Sequence, residues 1–156
     1  MDILYVITGL RVGGAERVVI NLADEAANEG HIVKIVYMTG PVLIKPKNPS
    51  VELCSLEMKN YFSFPAGLLR LVRLIKKTKP DVVHAHMIHA NLMARISRLL
   101  IFCPTLICSA HNTNEGGRIR MLAYRFTNQL GDSFTNVSAE AAIALEGAGA
   151  APIGSM

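Results

Sequence analysis

The chain has 156 residues, 51% of them hydrophobic, and 16 basic against 12 acidic residues give a net charge of +4. That length suits one domain with a sound core and excludes two large ones. A mean hydropathy of +0.32 suits a parallel sheet buried on both faces, and there is no apolar run of the roughly 18 residues that a membrane helix needs.

The acidic start Met1-Asp2-Ile3 enters an apolar strand at once, which argues against a secretory leader. Strands are expected near 3–8, 32–38, 51–55, 81–85, 105–109 and 134–137, and helices near 14–29, 65–78, 88–101, 117–130 and 139–147. Strand–helix alternation with short connections predicts a Rossmann-like α/β fold: a doubly wound parallel sheet in three α/β/α layers. Gly30 reads as a helix C-cap and Pro80 as a helix stop. The segment from Gly40 to Ser50 holds Pro41, Pro46 and Pro49 and is expected to be irregular and mobile. Cys54, Cys103 and Cys108, odd in number and set among apolar residues, read as reduced buried thiols of a cytoplasmic protein. Residues 1–148 form the expected domain. The tail 149–156, rich in Gly and Ala, reads as the start of a linker to something further.

Gly9-Leu10-Arg11-Val12-Gly13-Gly14-Ala15-Glu16-Arg17, between the first strand and the first helix, carries the most chemistry. Gly13 and Gly14 are expected to leave a helix N-terminus with no side chains in front, where free N–H groups and the helix dipole suit a phosphate. The blander reading is that they let the helix pack closely on the sheet. A P-loop is excluded, because Ala15-Glu16 stands where Lys-Ser/Thr is required. The dinucleotide fingerprint fails on spacing, and Tyr37-Met38-Thr39-Gly40 lacks the ribose-binding carboxylate, so a nicotinamide cofactor and a short-chain oxidoreductase are poor readings.

Asp81-Val82-Val83-His84-Ala85-His86 places two histidines on one face of a strand. If that strand ends at His84, His86 hangs in the loop over the cleft. His84 reads as a structural residue bonded within the sheet, His89 as a first-turn helix residue, and His31 as the start of the second strand. No carboxylate or cysteine joins His84, His86 and His89, so no metal is expected. His111, in Ser109-Ala110-His111-Asn112, is the histidine best placed to donate a hydrogen bond to a bound ligand or to developing charge. Asn112 and Asn114 serve equally well as turn or cap residues.

From Lys59 to Lys79 there are six basic residues and no acidic one. Leu68, Leu71, Val72 and Ile75 share one helical face, and Arg70, Arg73 and Lys77 another. A sheet-covering helix with a solvated basic side accounts for this. The same side, with Tyr61, Phe62 and Phe64 in the preceding loop, could also lie on an anionic membrane surface. Arg118, Arg120 and Arg125 offer a second basic surface for an anionic ligand. Nucleic acid is not expected, since no binding module or interleaved aromatics are found.

Four segments in this order and spacing, Gly13-Gly14-Ala15-Glu16-Arg17, Asp81 to His86, Ser109 to Asn112, and Asn136-Val137-Ser138, resemble the N-terminal domain of family 4 glycosyltransferases, over essentially the whole chain. The resemblance implies a retaining enzyme of GT-B architecture whose two Rossmann-like domains face each other across a cleft. It implies Gly13 and Gly14 near the donor diphosphate and His111, the catalytic candidate, by the donor sugar. It places His86, with Asn112 and Arg118, toward the acceptor, and Ser138 at the cleft. The nucleotide-sugar would be a substrate, and no cofactor or metal is implied. The family's E-x7-E pair is missing: Glu16 meets Asp24 eight positions on, and no other glutamate meets an acid. D-x-D is absent too. The expectation is therefore the acceptor-side half of an enzyme that moves a sugar from a nucleotide-sugar to a hydroxyl of an envelope glycan or lipid-linked sugar. It would be cytoplasmic, peripheral on the inner membrane face, and inactive alone. A non-catalytic nucleotide or phosphosugar binding module is the alternative.

Overall fold

A computed structural model of the chain describes residues 1–102, 105–111 and 117–136, with Ile143 and Gly147 beyond them. Six strands, β1 (Asp2–Ile7), β2 (Ile32–Tyr37), β3 (Glu52–Ser55), β4 (Val82–His86), β5 (Thr105–Ala110) and β6 (Ser133–Asn136), form one sheet in the order β3-β2-β1-β4-β5-β6. Every pairing is parallel. The chain winds outward from β1 through β2 to β3, then returns to the far side of β1 and continues through β4 to β6. The order therefore reverses between β1 and β4, and the crevice beyond their C-terminal ends is where such sheets bind ligands.

Helices α1 (Gly14–Asn28), α2 (Phe64–Thr78), α3 (Ile88–Leu100) and α4 (Arg118–Thr127) connect the strands. α1 turns Val19, Ile20, Ala23 and Ala26 onto Tyr5, Ile7, Val33 and Ile35 on one sheet face. α2 and α3 cover the other face, where Leu71, Ile75, Met93 and Ala94 meet Leu4, Val6, Val83 and Leu106. The expected α/β/α layering is the observed one.

The helix ends follow from particular residues. Gly30, at φ +89°, follows the C-cap of α1, and the Gly30 and His31 N–H groups return to the carbonyls of Ala27 and Ala26, a Schellman closure that needs left-handed backbone. α2 stops at Lys79 (φ +47°), ahead of Pro80. Its buried residues are Gly67, Leu71, Val72 and Ile75, so the apolar stripe belongs to the sheet and the basic side faces outward. The segment 40–50 takes the place of a crossover helix between β2 and β3 and is irregular, as expected. It is tethered rather than loose. Val42, Ile44 and Val51 pack into the α1-side core, and the Asp24 carboxylate accepts the Lys47 and Asn48 N–H groups at 3.0 and 2.9 Å.

Strand limits shift by a residue, and one shift matters. β4 runs to His86, not to Ala85, because β1 and β5 pair with it up to Ile7 and Ser109. The fourth helix ends at Thr127 and gives way to a 3-10 turn, Asn128–Leu130. Most of the expected 139–147 helix, the tail 149–156, Cys103, Asn112, Asn114 and Ser138 lie outside the described residues. Cys54 and Cys108 are free thiols whose pKa burial pushes up.

Candidate functional site

The C-terminal edge of the sheet gathers three features. The first is the start of α1. Gly13 is its N-cap in extended backbone, without a side-chain cap bond. A Cβ on Gly14 would meet nothing within 4 Å. A Cβ on Gly13 would collide only with the Glu16 carboxylate, not with a strand. Close packing on the sheet therefore does not explain this glycine pair. The expectation of a helix start free of side chains needs correction: Glu16 folds its carboxylate back over Gly13. Helix N-termini attract carboxylates at the third helical position, where N–H groups are unpaired. Gly9 shows the close approach instead, with its Cβ position 3.2 Å from the Thr39 carbonyl oxygen.

The second feature is a column of rings on β4 and just past β5. Tyr5 lies opposite His84 in register, with ring centroids 5.5 Å apart. His84 stacks on His86 at 4.1 Å, and His86 on His111 at 5.4 Å. His84 Nε2 is 2.7 Å from Ser109 Oγ, which in turn bonds Thr135 Oγ1. His84 is thus bonded within the sheet, as its sequence position suggested. His86 does not hang over the cleft: it is 1% exposed and is the last paired residue of β4. Its Nδ1 lies 3.1 Å from His111 Nε2, so it sits under His111 rather than at the open surface. Burial, helped by the neighbouring His111, lowers the His84 pKa to about 4. Burial, with His84 and then His111 adding, lowers that of His86 to about 2. Both rings are neutral at physiological pH.

Met87 follows at φ +73°, ψ 157°, a region that side-chain-bearing residues avoid and that costs about 1–3 kcal/mol. Its N–H reaches Ser109 O at 3.2 Å and its carbonyl caps α3 through Asn91 N at 2.9 Å. Asn91 is buried and donates to Ser109 O and to Tyr124 Oη. The strain is therefore held by bonds from β5 and α3.

The third feature is a cavity of about 220 Å³ lined by Thr8, Met38, Thr39, Met58, Lys59, Asn60, Tyr61, Phe64 and His89. It lies beyond the ends of β1, β2 and β3, against the first turns of α2 and α3. Among the described residues the buried Thr8 hydroxyl finds no hydrogen-bond partner. Tyr61 stacks on His89 at 5.5 Å and closes one side. Arg118 opens α4 at the same edge as an exposed residue. Among the described residues no three His, Cys, Asp or Glu side chains converge as metal ligands, and no helix is long and apolar enough to cross a membrane.

Tyr5, Thr8 and Thr135 were not singled out from sequence, Ser109 was noted only as part of the His111 motif, and Tyr61, Phe64 and His89 were noted without the cavity they line. Ser109 left a trace, a polar residue directly after the apolar run Leu106-Ile107-Cys108. Glu16 left one too, an acid three residues after a helix N-cap.

A doubly wound sheet of this order, with a glycine-led first helix and His111 on the same edge, is the architecture of a GT-B glycosyltransferase N-terminal domain. The chain belongs to Glycosyltransferase Family 4, whose sequence pattern matches residues 12–153. Similar solved structures include the lipopolysaccharide outer core galactosyltransferase WaaB in its apo form, with TM-score 0.75 and 15% identity over 96% of this chain and 43% of that one. Anabaena Alr3699/HepE in complex with UDP is similar at TM-score 0.66 and 16% identity, over 96% of this chain and 41% of that one. The fold also extends to UDP-N-acetylglucosamine 2-epimerase from Rickettsia bellii, at TM-score 0.61 and 14% identity over 96% and 42%. The chain thus spans about two fifths of the length of these structures. No curated protein sequence matches it.

Proposed function

We propose that this chain is the acceptor-side half of a retaining glycosyltransferase that moves a sugar from a nucleotide-sugar to an acceptor hydroxyl. The acceptor is read as an envelope glycan or a lipid-linked sugar. The observation that carries the proposal is the sharing of one sheet edge, at its switch point, by the glycine-led start of α1, by His111 and by the 220 Å³ cavity. In this reading a donor diphosphate approaches the N–H groups of Gly13 and Gly14, displacing the Glu16 carboxylate. His111 orients the donor sugar, and the acceptor enters the cavity with Thr8, Asn60 and His89 as its polar contacts. Arg118, exposed at the start of α4, is read as a residue of the cleft rim; the roles that the family resemblance implies for Asn112 and Ser138 fall on residues outside those described. The transfer so read needs no cofactor or metal, because charge on the leaving diphosphate is met by protein groups. Those groups and the nucleotide pocket belong to a second domain, so this chain alone does not turn over.

Isothermal titration with UDP tests the division of labour. Binding weaker than millimolar is expected, and micromolar binding by this chain alone overturns it. Supplying a C-terminal family 4 domain in trans is expected to restore transfer. Ligand binding without transfer in that experiment favours the phosphosugar-binding module instead.

The same reading places the domain in the cytoplasm, peripheral on an anionic membrane. Phe62 is 94% and Tyr61 72% exposed beside the basic side of α2, and each basic residue near such a surface contributes about 1 kcal/mol. Co-sedimentation with anionic but not neutral vesicles is expected. Equal recovery with both refutes the membrane contact.

A further inference from the structure

The cavity beyond β1, β2 and β3 has a one-sided chemistry. Met38, Met58 and Phe64 wall it and Tyr61 closes one side, while among the described residues that line it there is no Asp or Glu. Lys59 is the one lysine or arginine in that lining. The nearest acid in sequence, Glu57, is turned to Arg70 at 3.7 Å. Among the described residues no carboxylate stands within ion-pair distance of Lys59.

The segment that carries Lys59 is held on both sides. The Met58 N–H donates to the Met38 carbonyl at 3.0 Å. Asn60 caps the turn Tyr61–Ser63, its Oδ1 accepting the N–H and the hydroxyl of Ser63 at 3.1 Å each. With both lone pairs of that oxygen engaged, Asn60 has only N–H groups to offer a ligand. α2 and α3 begin at the same cavity and carry no acid in their first turns, so no side-chain carboxylate offsets the positive ends of their dipoles.

One cation, donors without a competing acid, and two helix starts favour a group that is negative and only accepts hydrogen bonds. The apolar walls ask for more than a bare ion, since they gain only by covering carbon. The volume of about 220 Å³ is below the roughly 300 Å³ at which pockets for drug-sized molecules begin, room for one ring rather than a chain.

We propose that the group entering this cavity is a single anionic sugar ring, a uronate or a sugar phosphate, laid on Met38, Met58 and Phe64 with its charge against Lys59. Lys59 is then the residue that selects a charged acceptor over a neutral one. This rests on the reading of the cavity as the acceptor site and narrows its substrate class.

Methionine-methyl 1H–13C spectra of the 156-residue chain, titrated at pH 7 and equal ionic strength with methyl glucuronide, glucose 6-phosphate and neutral methyl glucoside, test this. At least one of the two anions is expected to shift the Met38 and Met58 methyls and to bind about threefold or more tightly than methyl glucoside, the scale of a partly exposed ion pair. Which anion does so identifies the charged group. Added salt is expected to shrink the preference. Lys59→Gln, at an exposed position, is expected to abolish it. Lys45→Gln, exposed and outside the cavity lining, is expected to leave it whole. Equal affinity for charged and neutral sugars overturns the proposal and leaves the acceptor reading standing. A preference that survives Lys59→Gln overturns it as well. Unmoved Met38 and Met58 methyls with all three sugars overturn both.

Discussion

Acid should weaken this domain through two histidines before most of its carboxylates titrate. His84 and His86 have folded pKa values of about 4 and about 2, against 6.5 for an ordinary histidine. Both folded values lie below the unfolded one, so the unfolded chain binds more protons in acid. Stability is whole above about pH 6.5 and falls as pH drops, down to about 4 for the His84 part and about 2 for the His86 part. At pH 5 an unfolded histidine is almost fully protonated and its folded counterpart almost not, a difference of about 2 kcal/mol each and about 4 kcal/mol for the pair. Native domains hold only about 5–15 kcal/mol in total, so that loss is a large share. Urea titrations at pH 8, 6 and 5 and constant ionic strength would measure it, with a slope approaching two protons between pH 6 and pH 5. His84→Asn and His86→Asn should each remove about half of the slope. A loss under about 1 kcal/mol between pH 8 and pH 5 would refute the reasoning, as would an undiminished slope in the double variant. Asp132 does not confuse the result. The burial that raises its pKa is outweighed by Arg98 and by the Leu106 N–H, leaving the pKa below the usual carboxylate value. What it contributes is therefore lost only at lower pH.

Two further outcomes separate site from scaffold. Gly14→Leu meets open space, so the thermal midpoint of the chain should hold within a few degrees. Transfer by the enzyme assembled with a second domain should fall by about tenfold or more, equivalent to about 1.4 kcal/mol; full activity would remove the diphosphate from this helix. Gly67→Ala would press a Cβ against Met58 Cγ at 2.9 Å and Met93 Cε at 3.2 Å inside the core. It should destabilise by about 1–2 kcal/mol, and a double-mutant cycle with Met58→Ala should show favourable coupling above about 0.5 kcal/mol.

The layering, the parallel sheet and the helix ends could be read from the chain because each has a local cause: apolar runs for strands, Gly30 and Pro80 for stops, i to i+4 spacing for α1 and α2. The ends of strands could not be read so well. Alternation in Val82-Val83-His84-Ala85-His86 gives the face, but the last paired residue depends on how far β1 and β5 extend, and that moved His86 from the open cleft to a buried place under His111. Tyr5, Ser109 and Thr135 join the histidine column from strands distant in sequence, so only the sheet order reveals them. The Glu16 lid over Gly13 was within reach, since an acid three residues beyond an N-cap commonly bends back onto it. The cavity depends on three strand ends and two helix starts and has no local signature.

The strands at the two margins of the sheet, β3 and β6, have four residues each, whereas β1, β2 and β5 have six. β3 also carries Glu52, tied by an ion pair to Lys34 on its neighbour. Short margins with a charged residue give another chain little to pair with. A protein half of whose residues are hydrophobic is thereby protected against growing its sheet sideways into aggregates, and its long apolar strands stay in the middle where β-augmentation cannot reach them.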